Sequence, residues 1–239
     1  MQDTSTPKMV NWVGYLAITM LVTLPLAVLT VRSGAWQQGL MLYALSCLGA
    51  TIIFVLALVL GLLPLYRPHR KALQKRALLA LPGTALLLSM VASMGDYPPI
   101  HDITTDPDDP PRFTAAPEQR GPDANSLALA PDVVEMAREA YSDLSTLETN
   151  LSIEDAFAKA KQTALDLGWD IYREDLNTGY LEAVSTTALM GFKDDVAIRI
   201  TSNESGTMVD LRSVSRVGRS DLGANAARIR KFTEAFYQE

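Results

Sequence analysis

The sequence predicts three N-terminal transmembrane helices followed by a two-layer α+β domain, a four-stranded antiparallel sheet flanked by helices in the order α-β-β-β-β-α. Three observations carry this reading. Three long uncharged runs fill most of residues 10–94; four strand-like stretches follow one another between residues 170 and 216; and amphipathic helical patterns stand before and after those strands.

The first run, 10–31, is uncharged and close to the ~20 apolar residues that a bilayer core requires. Its flank, MQDTSTPK, lacks the basic start of a cleaved signal peptide, so the run is expected to remain as an anchor. The second run, 39–66, is longer than a bilayer needs, and tilt absorbs the excess. The third, 77–94, contains Pro82 and Gly83, which spanning helices tolerate. Gly14, Ala17, Gly49, Ala50, Gly83 and Ala85 are small enough to let helices approach closely.

Between the second and third runs lie Arg67, Arg70, Lys71, Lys75 and Arg76, whereas the first connection offers Arg32. The positive-inside rule puts the basic stretch in the cytoplasm. An odd number of spans then leaves the N-terminus inside and the C-terminal domain outside, in the periplasm of an inner (cytoplasmic) membrane. Trp12, Tyr15, Trp36, Tyr66 and Tyr97 lie near the expected span ends, as interfacial aromatics do.

Residues 1–95 are thus expected as an anchor, 96–131 as a linker and 132–239 as the folded domain. The linker carries eight prolines and several aspartates, a composition suited to an extended tether. Within it, Ile103 and Phe113 are available to pack, and Thr104, Thr105 and Asp106 can close local turns. His101, Asp102, Asp106, Asp108 and Asp109 match neither a two-histidine zinc spacing nor a calcium-loop spacing, so no metal site is expected.

A helix is expected near 132–144. A second begins at Ser152, with Asp155 three residues on as a capping pattern; Ile153, Ala156, Phe157, Ala160, Ala164 and Leu167 recur at helical spacing, and Gly168 ends it. Strands at 170–174 and 180–187 form a hairpin across Asn177, Thr178 and Gly179. Residues 193–202 alternate Val196, Ile198 and Ile200 against Ala197, Arg199 and Thr201. Residues 208–216 alternate Val209, Leu211, Ser213 and Ser215 against Asp210, Arg212 and Arg216. The last helix spans 221–237 and presents Leu222, Ala226, Ile229, Phe232 and Phe236. A sheet with one polar face needs cover on the other, which two amphipathic helices supply.

Composition narrows the chemistry. A formal charge of −6 argues against non-specific nucleic-acid binding. The single cysteine, Cys47, lies in an apolar run, which leaves no intrachain disulfide and no CxxC pair. No GxSxG, HExxH or phosphate-loop motif occurs, so no catalytic residue and no cofactor is assigned. Asp194 and Asp195 are adjacent on a strand and point to opposite faces, a poor pair for one substrate.

The passage from the last strand into the last helix is the candidate ligand-binding site: Arg212, Ser213, Ser215, Arg216, Gly218, Arg219, Ser220, Asp221 and Asn225. Free N–H groups at a helix start favour an anion, and Arg216 with Arg219 could grip phosphate or carboxylate in a fork. The plainer use of the same residues is structural. Ser220 or Asp221 then caps the helix, and Arg212 and Arg216 pair with Asp194 or Asp195 across the sheet.

The segments PPIHDITTDPDDPPRF, GFKDDVAIRI and DLRSVSRVGRSDLGANAARIRKF, with the Gly168-Trp169 pair, resemble the uncharacterised family called domain of unknown function 1499, over residues 98–236. The resemblance implies a bacterial envelope protein and brings no reaction, cofactor or catalytic residue. The expected function is a membrane-anchored envelope protein whose outer domain binds another envelope component. The alternative is a module for an anionic lipid or a phosphate or carboxylate ligand at Arg216 and Arg219, with a hydrolase using His101 as the third reading.

Overall fold

The computed structural model describes residues 7–204 and 206–238. The chain divides into two compact units, one of residues 1–94 with 189–191 and one of residues 95–188 with 192–239.

In the first unit α1 (Lys8–Arg32), α2 (Trp36–Leu62) and α3 (Arg70–Ala92) pack together, with a short 3-10 segment (Pro64–His69) between the last two. Including that segment, these are three helices long and apolar enough to cross a membrane. Leu29, Met41, Ile52, Leu62, Leu78 and Leu88 lie exposed on them, an apolar surface far larger than water tolerates and suited to lipid. Small residues set the packing distance: a Cβ on Gly83 would lie 2.6 Å from that of Ala50, and one on Gly49 would lie 2.5 Å from Met20 Sδ. Ala85, expected among them, is exposed. The basic stretch is not wholly a loop. Arg70, Lys71, Lys75 and Arg76 form the first turns of α3, because the run is rich in strong helix formers once past Pro68.

The second unit is α+β, but its antiparallel sheet has six strands, not the four expected. The four-strand meander is present as β3 (Asp170–Asp175), β4 (Tyr180–Thr186), β5 (Lys193–Asn203) and β6 (Gly206–Ser215). The additions are β1 (Asp102–Thr104) and β2 (Leu147–Thr149), both antiparallel to β6 and both three residues long. Strands that short show no periodicity to read.

The helices are α4 (Ala116–Gln119), α5 (Pro131–Ala140), α6 (Ile153–Asp166) and α7 (Ala224–Tyr237). Ser152 caps α6 as its spacing predicts, its Oγ accepting from the Asp155 N–H at 3.1 Å. The helix-side core joins Phe157, Ala160 and Ala164 to Leu181, Val196, Ile198, Val209, Leu211, Ile229 and Phe232. Trp169 stacks on Phe232 with ring centres 5.5 Å apart. Leu222, expected on the buried face of the last helix, instead precedes it, 70% exposed and with φ of +52°.

The other sheet face is not open to solvent as a two-layer reading requires. Residues 102–127, expected as tether, join the sheet as β1 and then lie over this face. Their backbone and side chains bond into β4, β5 and β6, and the proline content that keeps helix to the single turn of α4 leaves them free to lie flat as an irregular third layer. Ile103, singled out as able to pack, is 1% exposed within the core.

Candidate functional site

Alternation along β6 sends Ser213 and Ser215 to the helix side and Asp210, Arg212 and Val214 to the other. On the helix side, Ser213 Oγ donates to Asn225 Oδ1 at 2.7 Å. Asn225 Nδ2 donates to Ser215 Oγ and to the His101 carbonyl, each at 3.0 Å. Arg228 closes this cluster on Ser213 Oγ, Asn225 Oδ1 and Asp194. Arg228 was absent from the sequence-based site. Its position, three residues past Asn225 and on the same helix face, is the signal that could have found it.

The helix start is filled by the chain's own anion. The N-cap residue is Gly223 rather than the expected Ser220 or Asp221, and Asp221 reaches in from two residues earlier, accepting from the Gly223 N–H at 2.8 Å and the Asn225 N–H at 2.9 Å. Burial pushes the Asp221 carboxyl above its ordinary value, against the opposing pull of those two N–H groups. Ser220 Oγ donates to the Pro98 carbonyl at 3.1 Å, and the Asp221 N–H donates to the Ile100 carbonyl at 3.0 Å. Gly218 turns the chain with φ of +91°, and Asn125 Nδ2 donates to the carbonyls of Gly218 and Ser215 at 2.9 and 3.0 Å.

The two cations proposed for an anion part company. Arg216 grips Asp195 with Nε and Nη2 at 3.0 and 2.7 Å and donates from Nη1 to the Gln119 carbonyl at 2.8 Å. Arg219 is exposed, and among the described residues its guanidinium has no partner. His101 lies with Nδ1 3.4 Å from the Arg219 carbonyl oxygen.

Asp195 is 0% exposed and gathers three neighbours around one carboxylate. Besides Arg216, the Tyr172 hydroxyl donates to it at 3.3 Å, and Arg120 Nη1 stands 3.3 Å from it without hydrogen-bond alignment. Burial first, then Asp195 and Glu182 nearby, push the Tyr172 hydroxyl up and keep it protonated. Asp194, one residue earlier, faces Arg228 on the opposite side of the sheet, as adjacent strand positions must.

Arg212 does not pair across β5; it holds Asp102 of β1 at 2.9 and 2.6 Å. Arg199 meets Asp210, its cross-strand partner, at 2.9 Å, and reaches Asp106 and Asp109 at 2.9 and 2.7 Å. Arg138 meets Asp108 at 2.8 Å. Asp102, Asp106, Asp108 and Asp109 thus each face an arginine, and among the described residues no three His, Cys, Asp or Glu side chains converge as a metal site. Glu182, 0% exposed, accepts from the N–H groups of Thr114, Ala115 and Ala116 and from Arg173. Burial would raise the Glu182 carboxyl; those backbone donors and the Thr114 hydroxyl outweigh it and hold the group below its ordinary value.

The acidic stretch, the buried sheet face and the β6–α7 passage therefore form one fabric, running from Asp102 to the final helix. The family model for "protein of unknown function (DUF1499)" matches residues 102–236, and so begins at the aspartate that Arg212 grips and ends on the last core aromatic of α7. The chain belongs to the DUF1499 family. None of the curated proteins compared with it matches. In this DUF1499 domain the covering stretch lies inside the matched region and is part of the fold, whereas α1, α2 and α3 lie outside it. Chemically, Arg212, Ser213, Ser215, Arg216, Ser220, Asp221 and Asn225 are engaged with one another or with the covering stretch. Arg219 alone among them presents an uncommitted charged side chain to solvent among the described residues.

Proposed function

We propose that this protein is an envelope component whose DUF1499 domain, carried on the extracytoplasmic side of the inner membrane, binds an extended segment of another envelope protein along β3. The observation that supports this is the open edge of the sheet. Among the described residues β3 pairs only with β4, and beside it runs a groove of about 430 Å³ lined by Lys161 and Leu165 of α6 and by Asp170, Ile171, Tyr172, Arg173 and Glu174. An exposed edge offers unpaired backbone groups to an incoming strand, and the neighbouring groove takes its alternate side chains. The opposite edge is divided between the short β1 and β2 and offers less. A register shift between Ile171 and Arg173 breaks continuous pairing, which favours a short partner segment over edge-to-edge joining of two copies.

A photoreactive residue at Leu165 or Glu174 of the full-length protein in its native membrane is expected to label one and the same polypeptide. A control at Glu234, on α7, is expected to leave that polypeptide unlabelled. A synthetic peptide covering the labelled segment should slow amide exchange in β3. Absence of an adduct, or equal labelling from Glu234, would overturn the assignment.

A second reading, an anionic headgroup or a carboxylate at the start of α7, has the free Arg219 in its favour. Under it, Arg219→Ala abolishes retention of the anion while leaving the domain's stability unchanged. If the variant retains the anion as the parent does, this reading is wrong.

A further inference from the structure

The helical stretch of the first unit carries charge of one sign. From residue 7 to residue 94 there is no Asp or Glu, yet Arg67, Arg70, Lys71, Lys75 and Arg76 fall within ten residues. Arg76 is turned into the helix packing, its Nη2 3.2 Å from Asn11 Oδ1 and its side chain against Gly14. Arg70 points elsewhere. It is exposed, has no partner among the described residues, and lines a groove of about 250 Å³ between the end of α2 and the start of α3.

The groove's remaining walls are Ala57, Leu58, Gly61 and Leu62 of α2 with Leu73 and Gln74 of α3. Gly61 keeps it open: the nearest atom a Cβ there would meet is Arg70 Cγ at 4.0 Å, so a larger side chain would grow into the space beside the arginine stem. Leu62 is 72% exposed, and Leu58 is exposed one turn earlier, so the groove opens on the apolar outer surface of the helices. Its volume is below the roughly 300–1,000 Å³ of a small-molecule pocket. It fits a length of acyl chain with a polar group at one end.

We propose that this groove holds an anionic phospholipid, one acyl chain along Ala57, Leu58 and Leu62 and the phosphate on the Arg70 guanidinium with Gln74 beside it. The observations that converge are an apolar trough ending in an arginine, a cluster of cations with no carboxylate between residues 7 and 94, and helices of a length that spans a bilayer. Basic residues at the end of a membrane helix attract anionic headgroups, and a guanidinium matches a phosphate in a fork. A bound lipid here adds a defined site to that general attraction.

The test is native mass spectrometry of the full-length protein in mixed micelles with phosphatidylglycerol or phosphatidylcholine of identical chains. The parent protein is expected to retain one phosphatidylglycerol at least several-fold better than phosphatidylcholine. Arg70→Gln should erase that preference, and Gly61→Leu, which keeps every charge, should lower retention of both lipids. Lys71→Gln with Lys75→Gln, both exposed, should leave most of the preference in place. Circular dichroism confirms that each variant keeps its helices. Equal retention of the two lipids by the parent, an unchanged preference in Arg70→Gln, or an equal loss in the lysine double variant would overturn the site.

Discussion

Arg212 in β6 and Asp102 in β1 face each other as a two-pronged pair, Nε to Oδ1 at 2.9 Å and Nη2 to Oδ2 at 2.6 Å, with both side chains 5% exposed. Arg212 also donates to the Leu127 carbonyl at 2.8 Å and lies over the Phe113 ring. One side chain thus fixes the covering stretch to the sheet at three separated points. Removing one member of a buried pair strands the other, at a cost of about 3–5 kcal/mol. Arg212→Met and Asp102→Ala are each expected to destabilise the domain by that order, and the double variant by clearly less than the sum. Amide exchange of β5 and β6 in the full-length protein measures all three, and additive losses would show that the two residues do not act as a pair.

Much of this was legible from spacing. The Ser152 cap and the alternation in β5 and β6 use local rules, and local rules are what a sequence displays. The covering layer was not legible because its contacts lie about 70 to 110 positions apart, as with Thr114 and Glu182 or Asp102 and Arg212. Its prolines and aspartates carry the composition of a solvated tether, and only the partner arginines on β5 and β6 turn those aspartates into packing groups. Arg199 and Arg212 on one face of two alternating strands read as a solvent face. They were the available hint that acids must come from elsewhere, since buried arginines need partners.

At the α7 start, Asp221 bonds two backbone N–H groups that a helix would otherwise leave unpaired. Asp221→Ala is expected to cost about 0.5–2 kcal/mol, the usual range for a side-chain acceptor lost from a helix start. Asp221→Asn, which keeps an acceptor, should cost less. Exchange rates of the first turn of α7 read both. If Asp221→Ala leaves that turn as protected as in the parent, the carboxylate is not what starts the helix.

Gly179 sits in the β3–β4 turn with φ of +68°, and a Cβ there would lie 2.2 Å from the Ile200 carbonyl oxygen. The Gly179 carbonyl meanwhile accepts from the Ile200 N–H at 2.7 Å, so the close approach is part of the turn's bonding. The left-handed backbone alone costs a non-glycine residue roughly 1–2 kcal/mol, and the collision adds to it. Gly179→Ala is therefore expected to lower the thermal midpoint of the domain more than Gly121→Ala, a position where a Cβ meets nothing within 4 Å. Equal midpoints for the two variants would contradict the turn geometry.

Glu182 ties pH to the covering layer. Its carboxylate is held by the backbone of residues 114–116 and by Arg173, and despite burial its pKa lies below the ordinary glutamate value of 4.5. A carboxyl whose folded value is depressed binds protons more tightly when unfolded, so it contributes stability above the unfolded value and loses it as pH falls through the folded one. Neutral solution is therefore insensitive to this group, and the loss begins below about 4.5. Glu182→Gln should be destabilised at pH 7, because an amide meets a cluster of N–H donors and an arginine with one acceptor instead of two. Its stability should fall less steeply than the parent's between pH 5 and the acid limit of folding. Thermal midpoints across that range decide the matter: parallel curves for the two proteins would remove Glu182 from the acid response, whereas converging curves would show that its contact with residues 114–116 carries part of the acid loss.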